Sequence, residues 1–296
     1  MNQIIVVDKP YGLTSSYVVK KLKKLFGAKK AGHSGTLDPL ATGVLVVYFD
    51  DMTKLIPYVD ENIKNYQVKI LLGLETDTLD ISGKITNLSK IKDYSIADFN
   101  KTISNFIGEY IYSPPIYSAI KVKGIPSYTY ARDGVDVELP VKKSIIEKIK
   151  IIESGLSTLN LKVTSSKGTY IRALARDIGL SLGSYGTVSK LRRLSTGKFN
   201  INEANNYNSL IKGDRPTFIN LKNIFLSVQI DSKIYSKLLN EKNYKKVDLT
   251  VFLEDFPNSE RILLFKDDDP ILIAVNKFNN LSSYISSEIK FFSKKN

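Results

Sequence analysis

The sequence predicts an α+β fold built around a mixed sheet. Three observations carry that prediction. Apolar β-branched runs and amphipathic helical patterns follow one another irregularly, which disfavours the strict alternation of a doubly wound parallel sheet. A chain of 296 residues with 43% hydrophobic content can bury a large core. Beyond residue 212 the composition shifts, and short apolar runs suggest a small β-rich module.

The elements follow in order. QIIVV (3–7) is a β-branched run ending in the turn-prone DKPYG, and reads as a strand. Thr14 or Ser15 can N-cap a helix with Val18, Val19, Leu22, Leu25 and Phe26 on one face. Lys20, Lys21, Lys23 and Lys24 lie on the other, and Gly27 is the stop. VLVVYF (44–49) and YQVKILLG (66–73) read as buried strands, and residues 96–108 as a helix stopped by glycine. Residues 109–140, with Pro114-Pro115, several tyrosines and Lys121, Lys123 and Arg132, read as one long irregular stretch, either functional or disordered. Residues 147–154 and 158–166 form an expected antiparallel pair, 169–183 a helix, and 190–199 a basic strand. A boundary is expected at KGDRPT (212–217). Past it, VDLTVFLE and PILIAVN mark the small module, where thirteen Lys/Arg balance eleven Asp/Glu over 214–296.

Composition narrows the chemistry. With no cysteine and a single histidine, disulfides, thiolate metal sites and cysteine nucleophiles are excluded. Catalysis would have to come from carboxylates, lysines, tyrosines, hydroxyls or a bound ion. The longest apolar run is too short to span a bilayer, and MNQIIVVDKP lacks the pattern of a signal peptide, so the expected compartment is cytoplasmic.

The charge is localised. Residues 1–35 hold seven Lys/Arg against one acid and residues 162–198 eight against one, which accounts for the whole formal net charge of +13. Such confinement fits a polyanion footprint, because neutralised phosphates release counterions. Solvated lysine-rich helix faces are the alternative.

Residues 31–43, AGHSGTLDPLATG, contain the single histidine, three glycines and an Asp-Pro pair. Gly32, Gly35 and Gly43 permit a tight loop open to close approach by a ligand. Pro39 biases Asp38 toward extended backbone, projecting its side chain, while Leu37, Leu40 and Ala41 can anchor the loop. The carboxylate then reads either as a turn cap or as a catalyst. His33 reads as an ordinary half-buried histidine or as a base for Ser34. In KGTYIRALARDIG (167–179), Arg172 and Arg176 share one helix face, and each can clamp a carboxylate or phosphate or simply pair with Asp177. Glu75, Asp77 and Asp80 can form a metal cage or a solvated turn. Residues 114–132 suit base stacking or an ordered Ω loop.

Taken together, DKPYGLTS (8–15), GHSGTLDPLATGVL (32–45), YQVKILLGLETDTLD (66–80), PPIYSAIKVKGIPSYTYARDG (114–134), KGTYIRALARDIG (167–179) and LRRLSTGKF (191–199) resemble, in order, the motifs of the TruB family of tRNA pseudouridine synthases. The family acts on the T-loop uridine at position 55 of tRNA. The resemblance implies the pseudouridine synthase fold: a mixed, largely antiparallel central sheet with flanking helices, here followed by a small β-rich C-terminal module. It implies a catalytic domain over 1–212 and, over 213–296, a small domain corresponding to a reduced PUA-like RNA-binding module. Residue by residue, Asp38 matches the catalytic aspartate, Arg172 the arginine paired with it, and Tyr66 the tyrosine that stacks on the target base. His33 matches a T-loop contact, Tyr170 and Leu191 match positions lining the uridine pocket, and Lys9 and Pro10 match a motif that supports the catalytic loop. The resemblance further implies an isomerase with no metal or other cofactor, acting as a monomer on the T-arm of tRNA, with no membrane, protein partner or guide RNA. The alternatives are a non-catalytic tRNA-binding or tRNA-folding protein of the same fold, the related guide-RNA synthase, and a carboxylate glycosidase. The last lacks an evident second carboxylate at the right spacing.

Overall fold

The computed structural model describes residues 1–240, 261–267, 269–279 and 282–285. The run VDLTVFLE lies outside them.

Strands β1 (Ile4–Lys9), β2 (Ala31–Ser34), β3 (Thr42–Phe49) and β4 (Ile63–Leu72) come first, with helix α1 (Ser15–Leu25) between β1 and β2. A hairpin of β5 (Leu74–Thr76) and β6 (Ile85–Leu88), helix α2 (Ile96–Ser104) and strand β7 (Gly108–Tyr112) follow. Next come a small hairpin of β8 (Lys121–Val122) and β9 (Ile125–Pro126), helix α3 (Ser127–Arg132), strands β10 (Lys142–Gly155) and β11 (Thr158–Ser166), helix α4 (Ile171–Ser181) and strand β12 (Gly186–Thr196).

The large sheet runs Asn205–Asn206, β1, β3, β12, β4, β11, β10, β7, with β2 added onto β3 and Phe199–Asn200 onto β12. Only two of its pairings are parallel, β3 with β12 and β1 with Asn205–Asn206, so the expected mixed, largely antiparallel sheet is present. Residues 226–229, 261–266, 269–279 and 282–285 form a second, four-stranded sheet, which makes the C-terminal part β-rich.

Local sequence explains the helices. The Thr14 hydroxyl accepts the Tyr17 N–H and caps α1. Val18, Val19 and Leu22 are buried on its inner face, each worth about 1.5–3 kcal/mol. Leu25, expected in that stripe, is 43% exposed. The last inward contact belongs to Phe26, which packs edge-on against Phe49. Ser95 and Asp98 form a capping box at the start of α2.

Residues 109–140 are more ordered than the sequence suggests, because all of β7 but its first residue, the β8–β9 hairpin and α3 fall within them. Pieces of two to six residues carry no readable period, which is why the pattern looked irregular.

Two apolar clusters flank the large sheet. Tyr66, Val68 and Ile70 of β4 pack with Ala173, Leu174 and Ile178 of α4 on one side. On the other, Ile4, Val6, Val46 and Tyr48 pack with Phe225, Leu263 and Phe265, so this cluster runs across residue 212.

Candidate active site

The loop between β2 and β3 is pinned from below. The Ser15 hydroxyl accepts the Leu37 N–H at 2.8 Å and donates to the Leu37 carbonyl at 3.0 Å. Gly12 N–H donates to the Pro39 carbonyl at 2.8 Å. Leu37, Leu40 and Ala41 are buried, anchoring the loop as expected. Between them the Asp38 side chain projects and stays 35% exposed.

Lys9 ties the same loop to the end of β1. It is fully buried, and its Nζ donates to the carbonyls of Leu13 (2.6 Å), Pro10 (2.9 Å) and Pro39 (3.4 Å). Burial pulls its ammonium down to about 8, against the opposing pull of the Asp38 carboxylate. Lys9 and Pro10 lie outside the cavity described next; Lys9 holds the Asp38 loop through the Pro39 carbonyl, and Pro10 offers it only a carbonyl.

Asp38 meets Arg172 at the start of α4. Arg172 Nη2 donates to Asp38 Oδ1 at 3.0 Å, and Nε lies 2.9 Å from Oδ2. The guanidinium is buried and also donates to the carbonyls of Thr78 (2.8 Å) and Tyr117 (3.0 Å), with Asp80 Oδ2 3.8 Å away. One arginine therefore joins the Asp38 loop, the turn after β5 and the segment after β7.

Asp38, Arg172, Tyr66, Tyr170 and Leu191 line one cavity of about 300 Å³. That volume lies at the small end of the range for ligand sites, roughly 300–1,000 Å³. Burial raises the Tyr170 phenol above its usual range, with the Asp38 carboxylate adding to the effect.

His33 stands apart from this lining, on β2 opposite Val47. It is half-buried, its Nδ1 makes no hydrogen bond among the described residues, and burial with the nearby Arg193 charge lowers its pKa. The reading of His33 as a base for Ser34 fails. The Ser34 hydroxyl engages Tyr48 and Glu61 instead.

Other expectations also change. Gly43, at φ +100°, faces the protein, since a Cβ there would overlap the Arg193 carbonyl. Gly35, at φ +71°, makes room for Lys64 and Arg193. Gly32 has no positive φ. Gly35 and Gly43 thus admit the protein's own arginine. Gly43→Ala is expected to lower stability by at least about 2 kcal/mol, measured by chemical denaturation, since both conformation and space forbid the methyl group.

The basic stretch 162–198 is partly internal. Arg193 is fully buried, donating to the Val44 and Gly35 carbonyls, and Arg192 pairs with Asp8 at 2.7 Å. Arg176 pairs with Asp177 at 2.8 Å, so of the two helix arginines only Arg172 reaches the cavity. Asp80 is buried and accepts hydrogen bonds from Thr78 and Ser82, whereas Asp77 accepts the Lys84 N–H. These acids act as turn caps.

Sequence reasoning missed Lys64. It lines the cavity beside Tyr66, two residues along β4 on the same face. Its signal was that alternation. Burial and the Arg193 charge pull its ammonium from 10.5 down to about 8, with Glu61 opposing. Between those values the unfolded chain holds a proton that the folded chain has released, so this group makes stability rise with pH from about 8 to 10.5. Lys64→Met is expected to flatten that rise, read from denaturation midpoints at pH 7 and pH 10.

The comparisons agree with this geometry. The model described as "TruB family pseudouridylate synthase (N terminal domain)" matches residues 23–171, and that of the "tRNA pseudouridylate synthase B C-terminal domain" matches 172–212. A tRNA pseudouridine synthase B from Caldicellulosiruptor saccharolyticus is 41% identical over 86% of this chain and 90% of its own. One from Francisella philomiragia is 35% identical over 97% of both chains. A chain in the crystal structure of a Cbf5–Nop10–Gar1 complex shares the fold at a TM-score of 0.68 and 21% identity, covering 97% of this chain and 84% of that one. With its matches continuous across the Asp38 loop, β4 and α4, the chain belongs to the TruB family of pseudouridylate synthases.

Proposed function

We propose that this chain isomerises the T-loop uridine at position 55 of tRNA to pseudouridine. The names of its relatives, tRNA pseudouridine synthase B, support tRNA as substrate. The observation that carries the reading is the convergence of Asp38, Arg172, Tyr66, Tyr170 and Leu191 on one small cavity.

The reaction breaks the N1–C1′ bond, turns the freed base and joins C5 to C1′, after which C5 loses its proton and N1 takes one up. Nothing is oxidised or transferred to a carrier. Asp38 acts at the glycosidic centre as nucleophile or base. Arg172 aims the carboxylate through its paired contacts. Tyr66 stacks on the uracil and stands where the C5 proton departs, while Tyr170 and Leu191 enclose the base. The target must be extruded from the RNA loop, at a cost of a few kcal/mol. His33 contacts the loop at the space left behind, and Lys9 and Pro10 keep Asp38 in place. Residues 1–212 form the catalytic part and 213–296 a small C-terminal domain. The protein works as a cytoplasmic monomer, without cofactor, metal or guide RNA. No helix of the described residues is long and apolar enough to cross a membrane.

Tritium release from C5-labelled, unmodified tRNA transcript tests this. The purified protein is expected to release label in EDTA from a prefolded T-arm stem-loop. Release only after magnesium is restored would count against the reading.

A further inference from the structure

Lys64 is the one ammonium lining the Asp38 cavity, and the mechanism above leaves it without a task. Its Nζ makes no hydrogen bond or ion pair with any described residue. The acid nearest to it in effect, Glu61, is engaged by Ser34, Tyr48 and Thr196. The other charges facing it, Arg193 and Lys167, are of its own sign. Burial and two like charges together outweigh the single opposing acid, so an anion reaching this half-buried ammonium is favoured.

The placement says what arrives. Lys64 and Tyr66 lie on one face of β4, about 7 Å apart along the strand. The Nζ rests against the backbone of Gly35, 2.7 Å from where a Cβ would stand, so Gly35 keeps it open toward the cavity. Gly35, Thr36, Gly168 and Thr169 line the same cavity. A nucleotide whose base lies on Tyr66 and whose C1′ lies at Asp38 brings its flanking backbone to this lining, where Lys64 is the one ammonium. Lys167, exposed on the approach, adds charge of the sign a phosphate seeks.

We propose that Lys64 binds a phosphate oxygen of the RNA backbone flanking the reacting nucleotide. The proposal rests on the functional reading above, and makes Lys64 a substrate-binding residue that anchors the flipped nucleotide by its backbone.

The experiment pairs Lys64→Met with T-arm stem-loops carrying one neutral methylphosphonate linkage on either side of the target uridine. Lys64→Met is expected to weaken RNA binding on the order of tenfold. The single-turnover rate at saturation should stay within a few-fold. One of the two neutral linkages should cost the wild type a similar factor and cost Lys64→Met nothing further. Lys64→Arg, which keeps the charge, should retain most of the affinity, and the unfolding midpoint of Lys64→Met at pH 7 should not fall.

Penalties that multiply at both linkages overturn the proposal, as does a lost saturated rate with unchanged affinity, which would assign Lys64 to the base or the chemistry. Lowered stability with no change in RNA binding would make it structural and also overturn it. If the wild type binds these RNAs without isomerising them, the functional reading fails while the linkage experiment still reads out the phosphate contact.

Discussion

Asp38→Asn is expected to abolish tritium release from C5-labelled tRNA while leaving RNA binding within a few-fold. The substitution keeps the side chain's shape and removes its charge, so it separates chemistry from architecture. The loop itself is held by Ser15, Gly12 and Lys9 through contacts to Leu37 and Pro39, none of which involves the carboxylate. Arg172 keeps the Thr78 and Tyr117 carbonyls as acceptors and stays in place. Because the Asp38 side chain is 35% exposed, its ion pair is partly screened, and its loss costs about 1 kcal/mol at most. The rate has no such cushion, because under the proposed function this carboxylate is the nucleophile or base at the glycosidic centre. The loss should be on the order of 10³-fold or more. Turnover within tenfold of wild type would remove Asp38 from the chemistry and leave the turn-cap reading of this Asp-Pro loop.

Asp38, Tyr66 and Arg172 are legible because each sits in an ordered run whose neighbours dictate its direction, whereas Tyr170 and Leu191 follow from the family resemblance alone. Leu37, Leu40 and Ala41 pull the loop inward around Asp38, Tyr66 starts the buried alternation of β4, and Arg172 opens an amphipathic helix. The α+β class was legible from the same patterns. The network behind the cavity was not. Arg193 reaches Gly35 from 158 residues away, and Thr196 reaches Glu61 from 135 away. Such partners meet only when β12 is laid beside β3 and β4, a register that no local period announces. For the same reason, buried arginines were counted as part of an RNA footprint, and glycines that accommodate Arg193 read as room for a ligand. Lys20, Lys21 and Lys24 of α1 and Lys167 keep the electrostatic reading, since they are exposed.

Arg172→Ala should be the more damaging change to the fold, and Arg172→Lys the more informative about the site. The guanidinium is buried and bridges three chain segments that share no backbone ladder at that point: the Asp38 loop, the Thr78 turn and the Tyr117 segment. Removing it leaves two carbonyls without their donor and Asp80 without its nearest cation, a loss of about 3–5 kcal/mol by denaturant titration. Asp80 keeps its hydrogen bonds from Thr78 and Ser82, so its turn should survive while the three segments lose registry. Lysine restores the charge without the fork. A single ammonium cannot face both Asp38 oxygens and two carbonyls on different sides. Arg172→Lys should therefore recover part of the stability while the single-turnover rate stays depressed, on the order of 10²-fold, because the carboxylate is no longer aimed. In an Asp38→Asn background the two arginine variants should differ from the parent in stability as before, since the carbonyl contacts do not depend on the carboxylate. If Arg172→Lys turns over at the wild-type rate with reduced stability, the arginine is a clasp for the three segments, and the aiming of Asp38 belongs to the loop alone.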